Sequence, residues 1–231
     1  MRRIRAFFSP AAAAMLAVVF LAFPATGRGE LFNVSLDVTD LRGNTYGAGG
    51  PYSVDFLMTG GQSNNDSVTI SNFAVTAASL GSSSSSGDVS GGLATSLIVG
   101  DTLLINDFNQ VITPDGTTNS VVITFQMNVT TNFASGNIPD NFAFSVLDSS
   151  GNPIPTTDPS SANSLFDFDL KPGLTPSLIA RFQTTGSSPT IGPASITLAS
   201  VPEPSSAVLL GLGMIGMGAF AVRRTLGARR D

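Results

Sequence analysis

Between residues 30 and 200, apolar side chains recur at every second position. Phe32, Val34, Leu36 and Val38 alternate with polar neighbours, and Tyr52, Val54, Phe56 and Met58 do the same. Val68 and Ile70 keep this phase, whereas Phe73, Val75 and Ala77 resume out of step, which predicts a β-bulge near Ser71 and Asn72. The longest clean run is Val121, Ile123, Phe125, Met127 and Val129. Shorter runs follow at Phe142 to Val146, Phe166 to Leu170, Ile179 to Phe182, and Ile196 with Leu198. A period of two puts one face of a strand in a core and the other in water. No stretch shows the period of a helix, and turn residues punctuate the chain at 47–51, 60–66, 115–116, 149–155 and 186–193. The pattern predicts an all-β chain: an antiparallel β-sandwich, jelly-roll-like, of about eight to ten short strands. Residues 81–92, rich in Ser and Gly, are expected as a surface loop within the domain. The polar stretch that begins at Thr184 is expected as a linker, so the sandwich is assigned to 28–183 and the linker to 184–200.

The two ends depart from this pattern. Arg2, Arg3 and Arg5 precede an apolar run from Ala11 to Phe23, Pro24 breaks it, and Ala25-Thr26-Gly27 supplies the small residues of a cleavage site. That is the arrangement of a signal peptide over 1–27, cut between Gly27 and Arg28. The run is also short for a bilayer core that needs roughly 20 residues. At the other end, Pro202-Glu203-Pro204 precedes an apolar segment over 205–222, followed by Arg223, Arg224, Arg229 and Arg230. As a helix, Ala207 to Val222 would span about 24 Å, and Ser205, Ser206 and snorkelling arginines extend its reach toward the full hydrocarbon thickness. Gly211, Gly213, Gly216 and Gly218 would weaken a soluble helix but are common in membrane helices. The arginines act as a stop on the cytoplasmic side. A single C-terminal transmembrane helix is therefore expected.

Charge separates the ends from the middle. Residues 28–200 hold four basic residues (Arg28, Arg42, Lys171, Arg181) and 14 acidic ones, a net charge of -10 against -5 for the whole chain. Such a surface repels phosphate backbones, so no nucleic-acid partner is expected. The chain has no Cys and no His. This excludes disulfides, Ser-His-Asp and Cys-His nucleophiles, and His- or Cys-bearing metal sites. What remains for catalysis is paired carboxylates, Asp37 with Asp40 or Asp167 with Asp169. The second pair lies opposite the apolar Phe166, Phe168 and Leu170 and reads as a solvated face. No enzyme is predicted and no catalytic residue is assigned.

Calcium is the more serious option, because hard cations take oxygen ligands from Asp, Asn, carbonyls and water, and the chain is rich in such oxygens. Asn64, Asn65 and Asp66 share one turn, and Asp148 and Asp158 bound a loop rich in Pro and Ser. Neither has the spacing of a recognised calcium loop, and Asp and Asn also form turns by bonding their own backbone. These five residues stand as calcium candidates beside a default of no cofactor. For carbohydrate, the usual aromatic platforms are scarce: there is no Trp, Tyr46 and Tyr52 are the only tyrosines, and the 16 Phe residues fall mostly at inward positions.

The C-terminal segment 201–231, with its Pro-Glu-Pro, apolar helix and Arg cluster in order, resembles the PEP-CTERM sorting signal of Gram-negative bacteria. The resemblance implies export through the Sec translocon, recognition and cleavage by a membrane-embedded exosortase, and a transient membrane anchor. It further implies a final place at the cell surface or outside the cell, in company with exopolysaccharide and biofilm. Leu31 to Asp37 (Leu-Phe-Asn-Val-Ser-Leu-Asp), Ser71-Asn72-Phe73 and Leu147 to Pro159 also resemble a PEP-CTERM family of unknown function. Proteins with such tails have been labelled ice-binding, but Thr117-Thr118, Thr130-Thr131 and Thr156-Thr157 follow no fixed period. The expectation is a non-enzymatic envelope or matrix protein. The alternative is a carbohydrate- or calcium-binding, lectin-like module in the same matrix.

Overall fold

A computed structural model describes residues 29–43, 50–62, 65–115, 119–132, 137–186 and 189–199. The segment expected as a signal peptide with its expected cleavage site at Gly27 and Arg28, Asn64, and the whole tail from Ser200 (Pro202 to Pro204 and the four arginines included) lie outside the described residues. Twelve strands are described: β1 (Glu30–Asp37), β2 (Tyr52–Thr59), β3 (Ser67–Val75), β4 (Ala78–Ser86), β5 (Val89–Gly91), β6 (Ser96–Gly100), β7 (Ile105–Pro114), β8 (Val122–Thr130), β9 (Asn141–Leu147), β10 (Phe166–Asp169), β11 (Ala180–Arg181) and β12 (Ser195–Leu198). A 3-10 turn over Thr39–Leu41 is the sole helical element among the described residues.

The strands form two six-stranded antiparallel sheets, in the orders β12-β1-β8-β3-β6-β5 and β11-β10-β9-β2-β7-β4. Consecutive strands repeatedly change sheet, so β1, β8, β3 and β6 interleave with β2, β7 and β4 as in a jelly roll. The inward positions are the alternating apolar ones. Phe32, Val34 and Leu36 on β1 face Val54, Phe56 and Met58 on β2 across a core that also holds Ile123, Phe125 and Met127. Phenylalanines join the sheets at its centre: the Phe56 ring lies 5.6 Å from Phe125 and 5.0 Å from Phe144, and Phe144 stacks on Phe166 at 5.2 Å. Full burial of each such ring contributes about 1.5–3 kcal/mol, with edge and offset ring contacts adding to it.

The expected bulge is present. Register between β3 and β8 shifts between Ser71 and Ala74, and Asn72 adopts a φ of 51°.

Two expectations are corrected. Residues 81–92 are not a loop: Ala78–Ser86 pairs with β7 at the edge of one sheet, and Val89–Gly91 pairs with β6 at the edge of the other sheet. The hydrogen bonds of a sheet edge hold this segment although its serines bury almost nothing. Nor is the stretch after Thr184 a linker as far as Leu198. Thr184 N–H donates to the Ile191 carbonyl, Ile191, Ala194 and Ile196 are buried, and β12 pairs with β1 from Ser35 to Phe32. Ile196 alternates with polar Ser195 and Thr197, the same period that marks the other strands.

Candidate metal centre

The end of the sandwich where β3, β6 and β9 meet carries three aspartates from distant parts of the chain. Asp66 immediately precedes β3, Asp101 immediately follows β6 and Asp140 immediately precedes β9. Antiparallel register brings the first two together, because Ser67 pairs with Gly100 and the next positions outward are Asp66 and Asp101. The third comes from the other sheet. Thr59 pairs with Asn141, so the chain leaving β2 at Gly60 and Gly61 runs beside Asp140. One carboxylate oxygen from each of the three lies within 4.8 Å of the others.

Backbone N–H groups hold each carboxylate in place. Asp101 accepts from Asn65 N–H (Oδ1, 3.0 Å) and from Asp66 N–H (Oδ2, 3.0 Å). Asp66 Oδ1 accepts the N–H of Asn132, whose side-chain amide returns to the Asn65 carbonyl at 3.0 Å. Asp140 Oδ1 accepts the N–H of Gly61. A side chain at Gly61 would collide with the carbonyls of Ile138 and Pro139, so this close approach requires glycine. Asp66 and Asp140 are almost fully buried, at 1% and 0% exposure. The second oxygen of Asp140, Oδ2, is buried and accepts no hydrogen bond.

Burial raises the Asp101 carboxyl above its ordinary value, with the neighbouring Asp140 adding to the rise while the Asp66 and Asn65 N–H groups oppose it. Burial likewise raises Asp140; the Gly61 N–H pulls it part of the way back and the Asp66 carboxylate pushes it up again. Three acids packed this closely repel one another when ionised, and a cation or bound protons would relieve that repulsion.

The other candidate residues have different places. Asp148 Oδ1 accepts the N–H groups of Ser150 (2.9 Å) and Asn152 (3.0 Å), which closes the turn after β9. Asp158 Oδ1 accepts from Ser160 N–H (2.8 Å) and its hydroxyl (2.7 Å), and Oδ2 accepts from Ser164 N–H (3.1 Å) and its hydroxyl (2.8 Å). These are side chains bonding the local backbone in turns, and neither joins the group around Asp66. Asn65 contributes its backbone to that group. Asp169 pairs with Lys171 at 2.7 Å on the exposed face, whereas Asp167 is half-buried and accepts the Ser164 hydroxyl at 3.3 Å.

A second acidic pair lies between β2 and β7. Burial and the carboxylate of Asp107 push the Asp55 carboxyl up to about 8, and Asp55 Oδ1 is buried with no hydrogen-bond partner. Asn109 donates its amide to both Asp107 oxygens at 3.0 Å, which leaves Asp107 as acceptor of the proton that Asp55 holds.

The outer face of the sheet built on β1 and β8 carries a shallow groove of about 300 Å³ lined by Asn33, Asn72, Thr124, Gln126, Ser195 and Thr197, among others. Asn72 donates to Gln126 at 2.7 Å and Gln126 to Asn33 at 3.2 Å, a row of amides across three strands. The register pairs Asn33 with Gln126, and the Asn72 bulge turns a third amide toward them.

Asp101 and Asp140 are not marked by local sequence because neither lies in a run of spaced carboxylates, and the partners they meet are far away in the chain. The one local signal is that each directly adjoins a strand end.

Residues 200–224 match the PEP-CTERM protein-sorting motif. No curated protein and no solved structure matches the chain. The matched segment takes in Pro202-Glu203-Pro204, the apolar run and the first two arginines of the tail. The motif makes this an exported protein, sorted by way of the membrane and targeted to an exosortase.

Proposed function

We propose that this chain, which carries a PEP-CTERM protein-sorting motif, is a non-enzymatic protein of the cell envelope or extracellular matrix that works beside exopolysaccharide. The observation that carries the reading is the motif at 200–224. It stands behind an acidic β-sandwich and opposite an N-terminal segment with the pattern of a signal peptide. The lack of His and Cys throughout the chain leaves few routes to nucleophilic or general-base chemistry. A sandwich with polar outer faces rich in Ser, Thr and Asn, and a net charge of one sign, suits a hydrated matrix, where it stays soluble and resists collapse.

The reading is tested on the motif itself. Replacing Glu203 with Ala, or deleting Pro202 to Pro204, is expected to give a longer, membrane-retained species in a host that has an exosortase. Release of the mutant at the wild-type size would sink it.

A carbohydrate-binding role in the same matrix is the second reading, and the amide row of Asn33, Asn72 and Gln126 supports it. Primary amides offer paired donors and acceptors to sugar hydroxyls. Titration with the host's exopolysaccharide should then show saturable binding that Gln126→Ala weakens. No binding by the wild type rejects this role.

A further inference from the structure

We propose that Asp66, Asp101 and Asp140 hold one calcium ion, which staples the two sheets of the sandwich together at their shared end. The inference rests on the geometry of this site and is independent of the sorting and matrix reading. The ligand atoms are all oxygens, which selects a hard cation. Their mutual spread, within 4.8 Å, is the spread allowed around a single calcium ion, since two oxygens on opposite sides at about 2.4 Å lie about 4.8 Å apart. Asp140 supplies the observation that points to a ligand. It is fully buried, its Oδ1 is engaged by Gly61, and its Oδ2 is sealed from water without a donor. A buried carboxylate oxygen with no donor is costly unless a cation faces it or a proton neutralises it, and the calcium titration below separates the two.

The site is built for position. Asp101 is fixed by two N–H groups, Asp66 by Asn132 and Asp140 by Gly61, so the carboxylates cannot swing apart to relieve their repulsion. Asp66 and Asp101 belong to the sheet of β3 and β6, and Asp140 to the sheet of β9. An ion there ties the chain leaving β2, the segment between β6 and β7 and the segment between β8 and β9 into one unit. The remaining coordination positions fall to backbone carbonyls or water, as calcium sites commonly use.

The intact chain in detergent, stripped with a chelator and desalted, is titrated with calcium chloride, and with magnesium chloride and sodium chloride as controls. Heat of binding and thermal melting are both recorded. The expected result is one calcium per chain and a rise in Tm of about 5–10 °C at saturation, with a clearly smaller rise for magnesium. Asp101→Asn, at a part-exposed position, should weaken calcium at least tenfold and lose most of the Tm rise. Asp140→Asn should do the same and, without calcium, melt no lower than the stripped wild type, since it removes a buried charge. Asp158→Asn should keep the calcium response. No calcium binding by the wild type, or a Tm rise matched by sodium chloride, overturns the proposal. So does a calcium response that survives both Asp101→Asn and Asp140→Asn. Should either variant fail to fold, the wild-type stoichiometry and ion preference still decide.

Discussion

The side-chain amide of Gln110 donates to the main-chain carbonyl of Gly81 at 2.9 Å and lies 3.2 Å from that of Ser82. Gln110 is buried on β7, and these two carbonyls sit where β4 slips register between Leu80 and Ser83. A core-facing amide thus satisfies the backbone that the irregular edge strand leaves unpaired. Gln110→Ala should cost about 1–3 kcal/mol, because it strands acceptors that are partly shielded from water. Chemical denaturation measures the loss, and hydrogen exchange should quicken over 78–86 before it does so in β2. Uniform exchange across both strands would contradict this account of β4.

Phe56 touches Phe108, Phe125, Phe142 and Phe144, so it joins the two sheets. Phe56→Ala is expected to destabilise the domain by about 3–5 kcal/mol, through lost burial and the cavity left behind. A denaturant midpoint close to wild type would show that the core is not organised around this ring.

Asp55 gives the pH dependence. Its proton is held up to about 8 against an ordinary value of 3.8, first by burial and then by Asp107. The folded state binds this proton more tightly than the unfolded chain does. The stability it contributes is complete below pH 4 and is lost as pH rises toward 8. Asp55→Asn keeps a donor toward Asp107 and removes the titration. Its Tm should exceed that of wild type between pH 7 and 9, with the gap closing toward pH 5. Parallel Tm profiles for the two proteins would contradict the shared proton.

Asp158 has the opposite sign. Burial alone would raise its carboxyl, but the hydroxyls and N–H groups of Ser160 and Ser164 outweigh it and hold the value below the ordinary one. Its contribution is present above the unfolded value of about 4 and is lost as pH falls below that. Asp158→Ala should lower Tm at pH 7 and approach wild type near pH 2–3. A deficit that persists undiminished at low pH would place its role elsewhere than in these hydrogen bonds.

How far the sequence anticipates the structure depends on what each strand buries. In β1, β2, β8 and β10 the inward positions are all apolar, and the period of two names them directly. In β7 the inward positions are Asn106, Phe108, Gln110 and Ile112. Two buried amides there break the apolar alternation, and each is present to satisfy a neighbouring backbone. Asn106 donates to the Leu103 carbonyl and accepts from the Asp88 N–H. In β4 the serines carry no pattern at all, and only the partner strand reveals it. The candidate centre was legible by one residue, Asp66, because its turn is rich in Asn and Asp. Asp101 and Asp140 reach it through register between strands far apart in sequence, which no local spacing encodes.

The central claim is that the tail is a sorting handle removed after export, and the mass of the mature chain tests it most directly. Protein recovered from the surface or medium of a host with an exosortase, measured intact by mass spectrometry, should lack the signal peptide and the apolar run after Pro204. A mature species that retains Ala207 to Asp231 would contradict the account.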